Sequence, residues 1–247
     1  MKSIQSTGYA IAIILILLGQ HPTVAQYSLE NFDINDPNGW YDQQIGRDHS
    51  GILQGEYQEI KYISKTTHQF FHLSSWQANT ISFTGQVYDS IYLFYDIYKD
   101  QLIIQHPSEL IYFGLGIKPI QQNVDWFTLD GHFFRNYSTP ISNLGKGFFD
   151  ELFIGETVNL LAKRSKMIKT DNDIQFTNID KLVIGIDGNY KRFNRKSSLW
   201  KIFPEYKKQI KGYIRSNNLS ISKDNESELI MLTRYCDGLL SENETSE

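Results

Sequence analysis

The sequence predicts an α+β protein that is mainly β, with curved antiparallel β-hairpins forming a meander and a C-terminal helical segment after it. Aromatic residues make up 14% of the chain, with 15 Tyr, 15 Phe and 4 Trp, and such rings suit the pleated surface of strands. Short apolar runs alternate with turn signals along most of the chain, and the hydrophobic period becomes helical only near its end. With 40% hydrophobic and 21% charged residues, the chain can bury a sizeable core.

Residues 1–25 have the layout of a secretory signal peptide. Lys2 gives a positive start, an apolar run covers residues 10–18, and small residues precede the expected cleavage after Ala25. The run is shorter than the about 20 apolar residues of a membrane-spanning helix, and an uncleaved anchor is the alternative. No second run of spanning length follows. We expect an exported protein, periplasmic, outer-membrane-associated or secreted, with no transmembrane span after cleavage.

The cysteine content and the charge restrict the class of protein further. Cys236 is the single cysteine, so no intramolecular disulfide forms, and its spacing to Leu232 and Leu239 predicts a buried, inert thiol on a helix. Residues 146–223 carry 16 basic against 8 acidic side chains, although the whole chain has a net charge of −4. An exported, net acidic chain is a poor candidate for nucleic-acid binding.

Residues 26–55 form a loop-rich entry, and residues 56–195 are predicted to form the β-rich domain. The first strands are expected at 81–87, 91–98, 101–105, 110–113, 126–129 and 132–137. Tyr88-Asp89-Ser90 and Asp130-Gly131 are the predicted turns between them. Period two over 91–98 places Ile91, Leu93, Tyr95 and Ile97 on one face, and large apolar groups on both faces predict a central strand.

The second strand group is expected at 148–153, 157–163, 181–186 and 190–194, with a hairpin turn at Asp187-Gly188. Residues 196–240 are predicted to form C-terminal helices packed on the β domain. Ser198 is the expected cap of the first helix, and Gly238 the expected end of the last. Residues 241–247 are expected to be a disordered tail.

The chain resembles a family of uncharacterised exported bacterial proteins that are β-rich and have no assigned activity. The likeness rests on the segments 55–57, 70–71, 85–88, 93–97, 127–133, 160–164 and 196–199, and extends to Tyr235. These are scattered aromatic and turn positions rather than a tight motif. The resemblance implies export and a β-rich architecture, and it implies no catalytic residue or cofactor.

His68 and His72 are the candidate metal ligands, because a four-residue spacing places both imidazoles on one face of a strand or helix. Two ligands do not complete a site, so His49 or His132, with Asp48 or Glu59, would have to lie nearby. Histidines at the surface or paired across strands are the alternative. The carboxylates at turns, such as Asp96 and Asp130, are expected to bond backbone amides.

Tyrosines and tryptophans are the candidate ligand-binding residues, since their rings could stack on sugar rings or hold an apolar tail. The alternative is pairing across strands within the core. The candidates are Tyr92, Tyr95, Tyr98 and Trp126, with Tyr88, Tyr112 and Trp76 beside them.

These patterns favour an exported, non-enzymatic binding protein or a scaffold associated with the cell envelope, with a glycan, a lipid or an envelope protein as its partner. No cofactor is expected. The alternative is a metal-dependent hydrolase that uses His68 and His72. No Gly-x-Ser-x-Gly elbow and no phosphate-binding loop occurs in the chain.

Overall fold

The computed structural model describes residues 50–60, 67–72, 75–106, 115–170 and 174–244. All of the described residues belong to one compact unit. The predicted signal peptide, the candidate partners Asp48 and His49, the strand expected at 110–113 with Tyr112, and residues 245–247 lie outside the described residues.

The described residues form thirteen strands, most of them in hairpins. In chain order these are β1 Gly55–Glu59, β2 Gln77–Phe83, β3 Gln86–Asp96, β4 Gln101–Gln105, β5 Leu115–Pro119, β6 Val124–Leu129, β7 His132–Tyr137, β8 Gly147–Ile154, β9 Val158–Lys163, β10 Lys166–Thr170, β11 Ile174–Asn178, β12 Lys181–Ile186 and β13 Asn189–Phe193. Eleven of them form one antiparallel sheet, ordered β1-β5-β4-β3-β2-β6-β7-β8-β9-β12-β13. Strands β10 and β11 form a separate two-stranded sheet.

Three α-helices follow the strands, as the change of period predicts. They are α1 Lys196–Ile202, α2 Lys207–Ser216 and α3 Glu226–Glu244. Helix α3 continues through Gly238 to Glu244, so the first residues of the predicted tail are helical. A glycine near the end of a helix stops it only where the chain turns into the left-handed region. Gly238 has ordinary helical backbone, because it is not among the positive-φ residues of the chain.

Two large hydrophobic clusters lie on one face of the main sheet. Phe134 is opposite Asp150, Asp150 is opposite Ala162, and Ala162 is opposite Leu182, so all four point to the same side. Phe134 belongs to the aromatic cluster, which is formed mainly by Ile81, Leu93, Tyr95, Phe127, Phe134 and Phe148. Ala162 and Leu182 belong to the helix-covered cluster, where Leu199, Ile210 and Leu229 of the three helices pack on the sheet.

The sequence predicts the interior strand correctly but places one turn wrongly. Ile91, Leu93, Tyr95 and Ile97 all lie in the aromatic cluster, and β3 lies between β2 and β4. The turn before β3 lies at Thr84-Gly85, with φ angles of 52° and 80°, rather than at residues 88–90. Ser90 has a φ of 58° inside the strand, beside a register shift in β2. The polar Asp89-Ser90 pair thus marks a β-bulge, which needs the same left-handed backbone as a turn.

Other predicted elements agree closely with the structure. Strands β7 and β12 have the predicted bounds, and the turn Asp130-Gly131 joins β6 to β7. Cys236 is fully buried, as expected, and burial raises the pKa of its thiol to about 12. In the described part of the chain, no helix has both the length and the apolar character needed to cross a membrane.

Candidate functional site

The four candidate ligand-binding residues occupy different environments. Tyr95 is completely buried in the aromatic cluster, and its hydroxyl donates a hydrogen bond of 2.5 Å to Asp100. Tyr95 is therefore a core residue and not part of a binding surface, which corrects its prediction as a ligand-binding residue. Tyr98 is 44% exposed and meets Phe176 edge to face, while Trp126 is half-buried and stacks on Phe133.

Tyr92 is the candidate that lines a cavity. It is 48% exposed, and with Tyr88 it borders a cavity of about 170 Å³ at the start of β3 and the end of β4. We call this the Tyr92 cavity. Its lining combines apolar and polar side chains: Ser50, Ile52, Leu53, Tyr88, Ser90, Ile91, Tyr92, Ile104, Gln105 and His106.

Two details make the Tyr92 cavity suitable for a ligand that has both apolar surface and hydroxyl groups. The Ser50 hydroxyl is buried and has no hydrogen-bond partner among the described residues. A buried polar group without a partner costs free energy, which a bound hydroxyl could recover. The ring of His106 stacks on Tyr57, whose side chain is 66% exposed, with 6.0 Å between ring centres. Aromatic surface therefore continues from the cavity onto the edge strand β1.

His68 and His72, the candidate metal ligands, contact different clusters. His68 packs by its ring on Phe70, in a cluster with Phe94 and Ile103, whereas the ring of His72 stacks on Phe71 of the aromatic cluster. The ammonium of Lys166 lies beside His68 and donates to its carbonyl at 2.8 Å. Burial, followed by the charge of Lys166, lowers the pKa of His68. A second cation at His68 would meet the repulsion of Lys166.

His72 instead lies beside His132, with 5.5 Å between ring centres. Nδ1 of His72 lies 2.9 Å from Oδ2 of Asp130, and Nδ1 of His132 lies 2.7 Å from Oδ2 of Asp150. A carboxylate only accepts hydrogen bonds, so each Nδ1 carries the proton and donates it. In the tautomer with the proton on Nδ1, the lone pair of each ring lies on Nε2. We call these four residues the paired-histidine site.

Asp150 connects the paired-histidine site to a buried ion network. Arg164, at the end of β9, donates to Asp150 from Nε at 2.8 Å and from Nη2 at 2.5 Å. It also donates to Asp180 and to both carboxylate oxygens of Glu226, the first residue of α3. Burial disfavours the charge of Arg164, but the bonds to Glu226 and the charge of Asp150 outweigh it and raise its pKa. The network thus joins the sheet to α3.

Asp96 is a buried carboxylate with an incomplete set of partners. It is 1% exposed, and its Oδ1 accepts the N–H groups of Tyr98 and Lys99, both at 3.0 Å, as expected for a turn carboxylate. Its Oδ2 has no hydrogen-bond partner among the described residues. Burial raises the pKa of Asp96 in spite of the backbone N–H of Lys99, which lowers it.

We expect Asp96→Asn to be more stable than the wild type at pH 7. Because the folded pKa is raised above the unfolded value of about 3.9, the charge of Asp96 costs stability as the pH rises through the folded pKa. Asn keeps the Oδ1 acceptor and removes the charge, so its advantage should shrink toward pH 4. Urea unfolding at both pH values measures this. The control is Asp89→Asn, which removes an exposed carboxylate and should change the free energy of unfolding by less than about 0.5 kcal/mol. If Asp96→Asn is less stable than the wild type at pH 7, the expectation is contradicted.

No protein-family model, curated protein or solved structure matches the chain. The site therefore has to be interpreted from its own geometry. Among the described residues, no group of three or more His, Cys, Asp and Glu side chains is placed to hold a metal ion.

The sequence analysis does not single out Arg164, and it names His132 only as one of two histidines that would have to lie near His68 and His72. Arg164 follows an apolar strand, and two of its carboxylate partners, Asp150 and Asp180, are 14 and 16 residues away while Glu226 is 62 residues away. Nothing local in the sequence indicates those pairings. His132 directly follows the Asp130-Gly131 turn, and no other histidine lies near it in sequence, so no local pattern pairs it with His72 rather than with His68.

Proposed function

We propose that the protein is an exported, non-enzymatic binding protein of the cell envelope that takes one ring of a glycan into the Tyr92 cavity. The observation that supports this is the mixed lining of the cavity, to which Tyr88 and Tyr92 contribute together with residues that carry hydroxyl and amide groups. Sugars have apolar ring faces, which stack on aromatic side chains, and hydroxyls at their edges, which need hydrogen bonds.

The volume of the cavity favours a single ring. Pockets that enclose drug-sized ligands measure about 300–1,000 Å³, whereas this cavity measures about 170 Å³. An acyl chain would need a longer and uniformly apolar channel, and the buried hydroxyl of Ser50 would remain without a partner beside it. Further rings of an oligosaccharide could lie across His106 and Tyr57, outside the cavity.

We also infer that the main sheet is curved, as the sequence predicts. The support comes from Tyr95 and Phe148, whose ring centres lie 5.7 Å apart. Three strands, β2, β6 and β7, lie between their strands in the sheet. Neighbouring strands are about 4.8 Å apart, so a flat sheet would separate β3 from β8 by about 19 Å. Curvature toward the aromatic cluster accounts for this contact.

A glycan array probed with the purified mature chain tests the proposed function. We expect retention of a subset of oligosaccharides and, in solution, a loss of affinity of up to about tenfold in Tyr92→Ala. An aromatic contact is worth about 0.5–1.5 kcal/mol beyond its buried area, and 1.4 kcal/mol is about tenfold in affinity. Ser50→Ala should also weaken binding, because it removes the unpartnered hydroxyl.

Tyr98→Ala is the matched control, since Tyr98 is similarly exposed but packs on Phe176 and does not line the cavity. It should bind like the wild type. An array with no retained glycan, together with Tyr92-dependent binding to lysophospholipid micelles, would overturn the proposal in favour of a lipid. Binding that is equal in wild type and Tyr92→Ala would overturn the assignment of the cavity.

A further inference from the structure

We propose that His72 and His132 form a two-imidazole binding site for a divalent transition-metal ion such as Zn²⁺ or Ni²⁺. The two rings come from distant parts of the chain: His72 follows Phe71, and His132 is the first residue of β7. Imidazole nitrogens are good ligands for zinc, nickel and copper.

The distance between the two rings suits one shared ion. Imidazoles that bind one tetrahedral ion through bonds of about 2.0–2.1 Å have ring centres about 5 Å apart. The centres of His72 and His132 are 5.5 Å apart, with an angle of 78° between the planes. The side chain of His72 is 47% exposed and that of His132 is 24% exposed, so an ion can reach the pair from solvent.

Each imidazole forms the hydrogen bond to a carboxylate that is typical of metal-binding histidines. Such histidines generally donate their second ring N–H to a carboxylate, which fixes the ring and increases the basicity of the binding nitrogen. Asp130 accepts from His72 and Asp150 accepts from His132, and both bonds use Nδ1. The two pairs therefore leave the two Nε2 atoms for the ion.

The surrounding charge favours a cation. Three carboxylates, Asp150, Asp180 and Glu226, are bonded to the guanidinium of Arg164, and a fourth, Asp130, is bonded to His72. Together these four carboxylates and one guanidinium carry a net charge of −3, which a divalent ion would reduce. No third protein ligand is placed at the ion among the described residues. Water would complete the coordination shell.

Equilibrium dialysis of the untagged mature chain against Zn²⁺ and against Ni²⁺ tests the proposal. We expect one saturable ion per chain in the wild type, and none in the double variant His72→Ala/His132→Ala. Asp130→Asn should weaken binding about 10–100-fold although Asp130 would not touch the ion. Asparagine tolerates the left-handed backbone of this turn, where φ is 51°, so Asp130→Asn should fold.

Two control variants separate this site from other histidines. His106→Ala and His68→Ala should bind the ion like the wild type, with thermal melting used to show that every variant is folded. If His132→Ala fails to fold, the exposed His72→Ala and Asp130→Asn carry the same test. Absence of saturable binding in the wild type, full binding in the double variant, or loss of binding in His68→Ala would each overturn the proposal.

Discussion

Replacing Arg164 by Ala is expected to lower the free energy of unfolding by about 3–5 kcal/mol, because it breaks a buried ion network on one side only. The side chain of Arg164 is 4% exposed and that of Asp150 is 1% exposed. Without the guanidinium, Asp150 keeps a buried charge with His132 as its remaining side-chain partner. Glu226 also loses the bonds that tie the start of α3 to the sheet.

Urea unfolding followed by circular dichroism measures this effect, and Arg135→Ala is the matched control. Arg135 is also paired with a glutamate, Glu151 at 2.7 Å, but its side chain is 45% exposed. Glu151 is only 9% exposed, but it keeps the hydrogen bond from the Tyr137 hydroxyl at 2.8 Å when Arg135 is removed. Arg135→Ala should therefore cost about 1 kcal/mol, well below the loss in Arg164→Ala. Arg164→Lys should recover little of the lost stability, because an ammonium group cannot form the several hydrogen bonds that the planar guanidinium makes. Equal stability of Arg164→Ala and the wild type would contradict the buried network.

Replacing Phe134 by Ala is the second large effect, with an expected loss of about 3–5 kcal/mol. Phe134 has no exposed surface, and its ring centre lies 4.9 Å from Phe127 and 5.1 Å from both Phe71 and Tyr95. Removing the ring leaves a cavity among aromatic side chains that are held by different strands and cannot all move inward. The loss in the free energy of unfolding therefore has two parts: the hydrophobic contribution of the buried ring and the cost of the cavity that its removal leaves.

Phe133→Ala controls for the removal of a phenylalanine ring from the same strand. Phe133 points to the other face of β7, is only partly buried, and stacks on Trp126 with 5.2 Å between ring centres. We expect a loss of about 1 kcal/mol for this aromatic pair. Thermal and urea unfolding should rank Phe134→Ala far below Phe133→Ala. The reverse order would show that β7 presents the opposite face to the core.

Much of the fold follows from local patterns in the sequence. Alternation over residues 91–98 identifies the face of β3, because a strand must expose alternate residues to opposite sides. Asp130-Gly131 identifies a hairpin, because both residues accept the left-handed backbone that a two-residue turn needs. The same chemistry misleads at Asp89-Ser90, where the left-handed residue forms a bulge inside a strand. Local residue types do not distinguish the two cases.

The candidate sites depend on pairings that no local pattern contains. Tyr92 lies in a cavity because the start of β3 meets the 3₁₀ turn Gly51–Leu53 and the end of β4. His72 meets His132 across 60 positions of sequence. A single sequence shows the types of residue that could bind a ligand, while sheet order and register decide which of them lie together.

Isoleucine-methyl NMR of the mature chain, titrated with the oligosaccharide that the array retains best, tests the central claim most directly. Ile52, Ile91 and Ile104 line the Tyr92 cavity, whereas Ile210 lies in the helix-covered cluster. The proposal predicts saturable shifts for the three cavity isoleucines, with Ile210 unchanged. Shifts confined to the helix-covered cluster, or no shifts in the cavity at saturating oligosaccharide, would contradict it.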